Sequence, residues 1–164
     1  MSALGGKAAV VGIGATEFSK HSGRSEMRLA CEAVAAALLD AGIPPASVDG
    51  MVTFTAETNP EIEIARNLGI GELSFFSRIH HGGGAACATL QQAAMAVATG
   101  VAEVVVCYRA FNERSGHRFG AGVQGRHRRR MPRRRTSAGT PRLGSSPRPN
   151  GSPCSPVALC TSTA

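Results

Sequence analysis

Residues 82–109 read GGGAACATLQQAAMAVATGVAEVVVCYR, and the order of residue types in this stretch decides the fold. Three glycines make a turn, and Ala85–Ala98 then runs without a single charge in small and apolar residues that favour a helix. Gly100 ends that helix. Ala102–Tyr108 follows as an apolar, Val-rich run, the pattern of a strand covered on both faces. A helix without a charged face has no side to offer to water, so burial all round is expected, as a central helix between layers. A single small α/β layer encloses no helix on every side, and a second sheet or second subunit is implied as its cover.

The same alternation extends upstream. Ala8–Ile13 is a continuous apolar run bounded by glycines and reads as a strand covered on both faces. Ser25 caps a helix with Glu26 in its first turn and Leu29, Ala30, Val34, Ala37 and Leu38 at helical spacing, up to Gly42. Val48–Thr55 is a second strand. Asn59-Pro60 opens a second helix, with Pro60 in its first position, that ends near Leu68-Gly69. Leu73–Phe76 is a short strand before the glycine turn. Strands alternating with helices in units of about thirty residues imply right-handed crossovers and a mostly parallel sheet with helices on its faces, an α/β layered fold.

The net charge of +7 over 164 residues hides two unlike parts. Residues 121–164 hold nine arginines and no acidic residue, whereas residues 1–120 hold nine basic and eleven acidic residues. The first part is a near-neutral globular sequence of single-domain size, and the basic character belongs to the tail. The five cysteines, Cys31, Cys87, Cys107, Cys154 and Cys160, form no C-x-x-C pair and no His-Cys spacing that suits a metal. The first three lie in apolar surroundings and are expected as buried thiols of a reducing compartment. The opening MSALGGKAAVVGIG is a better first strand than a signal peptide. No stretch reaches the roughly 18–20 apolar residues of a membrane span, and a soluble, cytoplasmic protein is expected.

AAVVGIGATEFSKHSG, the helix after it, the glycine turn and AAMAVATGVAEVVVCYRAFNERSG together resemble the N-terminal half of the thiolase superfamily. The likeness covers roughly residues 5–122 and is closest to the lipid-transfer or sterol-carrier-protein-X type, often labelled acetyl-CoA acetyltransferases. Gly82–Arg109 is its most specific piece. The resemblance implies a thiolase-like α-β-α layered fold of which only the N-terminal portion is present. It also implies a coenzyme A thioester as substrate rather than a bound cofactor, and a homodimer for the intact family member. A second, similar half would contribute the catalytic histidine and much of the CoA-facing surface.

In catalytic thiolases a nucleophilic cysteine sits at a helix N-terminus, where free N–H groups and the helix dipole lower the thiol pKa. Counted back from Gly100, the family pattern C-G-S-G-L-x-A-L-x-x-A-A-x-A-I-x-x-G sets that cysteine opposite Gly83. His80 and His81 fall where Asn and Gln are usual. Cys87 lies four positions further on, one turn inside the helix, and is expected as a buried packing thiol. Without the nucleophile there is no acyl-enzyme, hence no ordinary Claisen condensation or thiolysis. A branch of lipid-transfer-type thiolases that lacks this cysteine resembles retro-aldolases acting on sterol-side-chain CoA thioesters, which work with a small OB-fold, zinc-ribbon partner. That reaction takes a base and a stabilised enolate. The site candidates are His81, Gly83 and Gly84, whose turn would supply backbone donors near the thioester; the competing reading is a tight turn that permits close helix packing. The catalytic base is unknown, and no metal site is expected.

From Arg126 the chain changes character: GRHRRRMPRRRTSAGTPRLGSSPRPNGSPCSPVALCTSTA covers residues 125–164. Its arginine clusters suit phosphate, its Pro, Ser and Gly content suits a disordered extension, and its composition is also what GC-rich DNA gives when translated out of frame. Joining the third base of each codon to the next two permits, from Thr136 onward, an aromatic-rich peptide ending A-R-R-x-M-H-E-Y-G. That ending resembles the helix that follows here in lipid-transfer-type thiolases, so a frameshift near Gln124–Arg128 is preferred and no specific nucleic-acid partner is expected. Residues 1–122 are thus read as a thiolase-like portion and 123–164 as a disordered basic tail. Two functions stay open: a truncated, inactive acyl-CoA- or steroid-CoA-processing enzyme, or a non-catalytic CoA- or lipid-binding module with a basic tail.

Overall fold

The computed structural model describes residues 5–54, 57–80 and 84–112, and the backbone of 157–162. Five strands form one sheet: β1 (Ala8–Gly14), β2 (Gly50–Phe54), β3 (Phe75–Ile79), β4 (Val104–Cys107) and β5 (Val157–Ser162), in the order β1-β5-β4-β2-β3. Strand β2 pairs in parallel with β3 and β4, while β5 runs antiparallel to both β4 and β1. Helices α1 (Glu26–Ala41) and α2 (Glu61–Leu68) cover one face and α3 (Ala85–Ala98) the other.

The two-residue period of the strands divides the core. Met51 and its register partner Val106 face α1 and α2, where they meet Leu29, Val34, Leu38, Ile64 and Ala65. Val52 and its partner Cys107 face α3, with Ile79, Ala93, Ala96 and Val97. The expected α/β layering is present.

Local chemistry sets the element ends. The Ser25 hydroxyl accepts the Arg28 N–H at 3.2 Å, satisfying one orphan donor at the start of α1. Gly42, at φ 68°, reverses the chain at its end. Pro60 lies one position earlier than expected, as the N-cap of α2, followed by Glu61 and Glu63 in the first turn where the helix dipole favours them. The Asp49 carboxylate accepts the N–H groups of Glu103 and Val104, each at 2.9 Å, and so aligns the starts of β2 and β4.

Several expectations are corrected. Strand β3 spans Phe75–Ile79 rather than Leu73–Phe76. Strand β1 is an edge strand, not one covered on both faces: Val10, Val11 and Ile13 are exposed. What its V-G-I-G provides is close approach. A Cβ on Gly12 would lie 2.4 Å from the Ala37 carbonyl oxygen, and one on Gly14 2.1 Å from that of Ala33, so only glycine lets β1 rest on the backbone of α1. Helix α3 is buried along one stripe, Ala85, Thr89, Ala93, Ala96 and Val97, rather than all round. The opposite stripe, Cys87, Leu90, Gln91 and Met95, is exposed. Most of the tail lies outside the described residues, but six of its residues form β5, where a structureless segment was expected.

Candidate functional site

Parallel strands β2, β3 and β4 end on the same side of the sheet, the edge at which open α/β sheets place their ligands. Three described segments leave the sheet there: Glu57–Pro60 after β2, His80 after β3, and Tyr108–Asn112 after β4. A buried polar network ties the first to the last.

Its centre is Glu57, only 3% exposed. One carboxylate oxygen accepts the Asn59 N–H at 2.9 Å and also the Asn59 side-chain amide; the other accepts the Ala110 N–H at 2.7 Å. A buried carboxylate is costly unless its oxygens are met by donors, and here they are. Tyr108 completes the brace: its hydroxyl donates to the Asn59 carbonyl at 2.9 Å, and its own carbonyl accepts the Thr53 hydroxyl at 3.0 Å. Burial, reinforced by the negative charges of Glu57 and Glu61, pushes the Tyr108 phenol well above its ordinary value, so it remains a donor.

The network continues outward. Glu26, in the first turn of α1, accepts the Asn112 N–H at 3.0 Å and the Thr58 hydroxyl at 2.7 Å, and the Asn112 amide donates to the Arg24 carbonyl at 2.6 Å. The Arg109 guanidinium stacks on two rings, 4.5 Å from the Phe54 centroid and 4.3 Å from that of Phe111, a cation–π sandwich that holds it at the strand edge. The exits of β2 and β4 are therefore held as one rigid rim.

Of the residues singled out from sequence, His81 and Gly83 lie outside the described residues. Gly84 is the N-cap of α3, at φ −82°, and a Cβ there would meet nothing within 4 Å. Neither backbone strain nor helix packing requires glycine at Gly84. Cys87 is corrected: it is exposed, in the first turn of α3 as its third residue. Its apolar neighbours in sequence suggest burial, but Cys87 is two residues from Ala85 and so falls off the buried stripe. Of the other described cysteines, Cys107 is buried, with its thiol 3.7 Å from the Thr89 carbonyl oxygen. Cys31 is only half-buried, and burial, with Glu32 beside it, raises its thiol. The Glu57 network was missed from sequence, because an acidic residue beside Asn-Pro after a strand has the composition of a solvated loop.

No helix among the described residues is long and apolar enough to cross a membrane. No family model matches the chain. Two curated proteins are similar to it: a steroid side-chain-cleaving aldolase of Thermomonospora curvata, 73% identical over 126 residues, and a 17-hydroxy-3-oxo-4-pregnene-20-carboxyl-CoA lyase of Mycobacterium tuberculosis, 74% identical over 117. These matches take in 77% and 71% of this chain but 32% and 30% of the relatives, so the chain spans about a third of their length. Among solved structures, an Ltp2-ChsH2(DUF35) aldolase is 75% identical, with a TM-score of 0.67 over 69% of this chain and 30% of that one. A monomeric SCP2-thiolase-like protein from Mycobacterium smegmatis is 27% identical, with a TM-score of 0.51 over 65% and 23%. Over the part that these likenesses cover, the chain is similar to SCP2-thiolase-like proteins of the thiolase superfamily and matches the N-terminal part of longer relatives.

Proposed function

We propose that this chain is part of a steroid-CoA aldolase: a thiolase-like scaffold whose complete protein breaks a carbon–carbon bond of a steroid side chain by retro-aldol chemistry, and that the chain by itself does not turn over. The observation that carries the reading is the identity of 73–74% to a steroid side-chain-cleaving aldolase and a CoA lyase. It is joined by the reading of Gly83 at the position of the thiolase nucleophile.

The chemistry suits a site without that nucleophile. The substrate class carries a hydroxyl β to a CoA thioester. A base takes the hydroxyl proton, the oxygen lone pair becomes a ketone, and the bond between the α and β carbons breaks. Its electron pair passes into the thioester as an enolate, which is then protonated at carbon. No acyl-enzyme forms, so Cys87 has no covalent role. The protein must lower the energy of the enolate oxygen, which preorganised backbone donors do well. We assign that role to the glycine turn, Gly83 and Gly84 with His81 beside it, and to the first N–H groups of α3. The Glu57–Tyr108 brace is a positioning element that fixes the exits of β2 and β4 at the same end of the sheet.

The exposed stripe of α3 is where the rest of the complete protein packs and supplies the base. The homodimer and an OB-fold, zinc-ribbon partner belong to that complete protein; a two-component name among the solved relatives supports such a partner. The arginine-rich tail is read as out-of-frame, with no selected nucleic-acid ligand.

A chimera tests the proposal. Residues 1–112 of this chain are joined to the remaining two thirds of the Thermomonospora curvata relative, together with that protein's partner, and given a 17-hydroxy steroid 20-carboxyl-CoA. Cleavage to a 17-ketone and a shorter acyl-CoA by the chimera, with none by the present chain, is expected. A folded chimera that binds CoA without turnover favours a binding module instead, and turnover by the present chain alone overturns the assignment of the base to the missing part.

A further inference from the structure

Strand β1 reaches the rest of the sheet only across β5. The order β1-β5-β4 places β1 and β4 two strand spacings apart, about 9.5 Å, too far to pair with each other. Between them, Ala158, Leu159, Cys160 and Thr161 each have a register partner on both sides: Ile13, Gly12, Val10 and Ala9 in β1, and Cys107, Val106, Val105 and Val104 in β4. The register slips by one residue at Val11, so a bulge in β1 adapts its edge to the inserted strand. Forty-four residues of sequence separate Asn112 from Val157. The segment that fills the gap is therefore not selected by a short connection.

The tail's composition shows what selects it. Residues 113–156 are interrupted throughout by Pro, Gly and Arg. Residues 157–164, VALCTSTA, form the longest stretch after Asn112 that lacks all three, and this stretch holds the strand. Proline cannot donate to a ladder, and glycine weakens one, whereas any segment free of both can offer its main chain. We propose that the gap between β1 and β4 is a strand-acceptor slot that recognises an extended segment through its main chain, filled in this protein by its own residues 157–162, and that it binds a free strand of the same sequence when that segment is withdrawn. This is recognition by β-augmentation, applied to the interior of a sheet and indifferent to the origin of the strand. Strand β1, which otherwise rests on α1 through its glycines and touches α3 only slightly, opens together with β5 as one local unit.

Hydrogen exchange on the full chain carrying Leu159→Pro is the test. Loss of a central ladder donor is expected to speed exchange of Ala8–Gly14 at least tenfold, while the β2–β3 pair stays protected and so reports that the protein is folded. Added peptide VALCTSTA is then expected to restore slow exchange in Ala8–Gly14 with increasing concentration, and a version with two internal prolines to restore nothing. Unchanged β1 exchange in Leu159→Pro, or no rescue by millimolar peptide, overturns the proposal. Should that variant fail to fold, Val10→Cys in the otherwise unchanged chain reads the slot directly. The register partner of Val10 is Cys160, so oxidation is expected to join the introduced thiol to Cys160 within one chain. Failure of that bond to form, or its formation only between chains, overturns the assignment of residues 157–162 to their own slot.

Discussion

The Glu57 carboxylate and the Ala110 N–H, fifty-three residues apart in sequence, meet at 2.7 Å in the interior. This bond, with the two that Asn59 gives to the same side chain, joins the loop leaving β2 to the chain leaving β4. Removing the acceptor strands buried donors on both sides, so Glu57→Ala is expected to destabilise the protein by about 2–4 kcal/mol. Glu57→Gln turns an amide donor toward donors and should cost about 1–3 kcal/mol. Urea midpoints at constant slope measure both. A loss below about 0.5 kcal/mol in either variant would mean that the rim is not held this way.

Tyr108 is the only tyrosine, and the chain has no tryptophan, so its titration is read directly from phenolate absorbance. Its folded pKa is raised, chiefly by burial, above the ordinary value of 10.0. The folded state therefore keeps a proton that the unfolded state releases. Stability is fully present below about pH 10 and falls as pH rises beyond it, by at most about 1.4 kcal/mol per pH unit. Phenolate is expected to appear only as the protein unfolds. Tyr108→Phe removes this slope and leaves the Asn59 carbonyl without its donor, at about 1–2 kcal/mol. A phenol that titrates near pH 10 with the fold intact contradicts the buried bond.

Gly14 separates a requirement of packing from one of composition. A Cβ there meets the Ala33 carbonyl oxygen at 2.1 Å and the Ala37 nitrogen at 2.4 Å, both backbone atoms that cannot turn aside. Gly14→Ala is expected to cost about 1–3 kcal/mol through displacement of β1 from α1. Gly71→Ala, where a Cβ meets nothing within 4 Å, should stay within about 0.5 kcal/mol of the parent. Equal effects in thermal melts would contradict the close approach.

Cys87 and Cys107 differ in access rather than in sequence surroundings. Maleimide applied to the native chain, with labelled sites mapped by peptide mass, should modify Cys87 readily and Cys107 only under denaturing conditions, because one is exposed and the other buried. Cys87→Ser should leave the aldolase activity of the chimera within about twofold of its parent. A loss of two orders of magnitude with the fold intact would give the thiol a role in the chemistry.

The sequence by itself determined what depends on neighbours along the chain: the Ser25 and Gly42 ends of α1, the span Ala85–Ala98 of α3, the Val-rich β4, the alternation that makes a mostly parallel α/β sheet, and the likeness to the thiolase superfamily. Each rests on capping, periodicity or residue order within a few turns, and those are local. Only the tertiary structure decided which strand is an edge, which stripe of α3 faces the sheet, and which residues bridge the exits of β2 and β4. Val10 and Ile13 have the composition of a covered strand, but cover depends on what packs against them, and nothing in their own segment specifies it. Cys87 shares its small neighbours with the buried stripe and differs from it by about half a helical turn. Glu57 has the sequence context of a solvated loop residue, and only the approach of Ala110, Asn59 and Tyr108 makes it a buried acceptor, because hydrogen-bond partners that distant in the chain become neighbours only when the sheet forms.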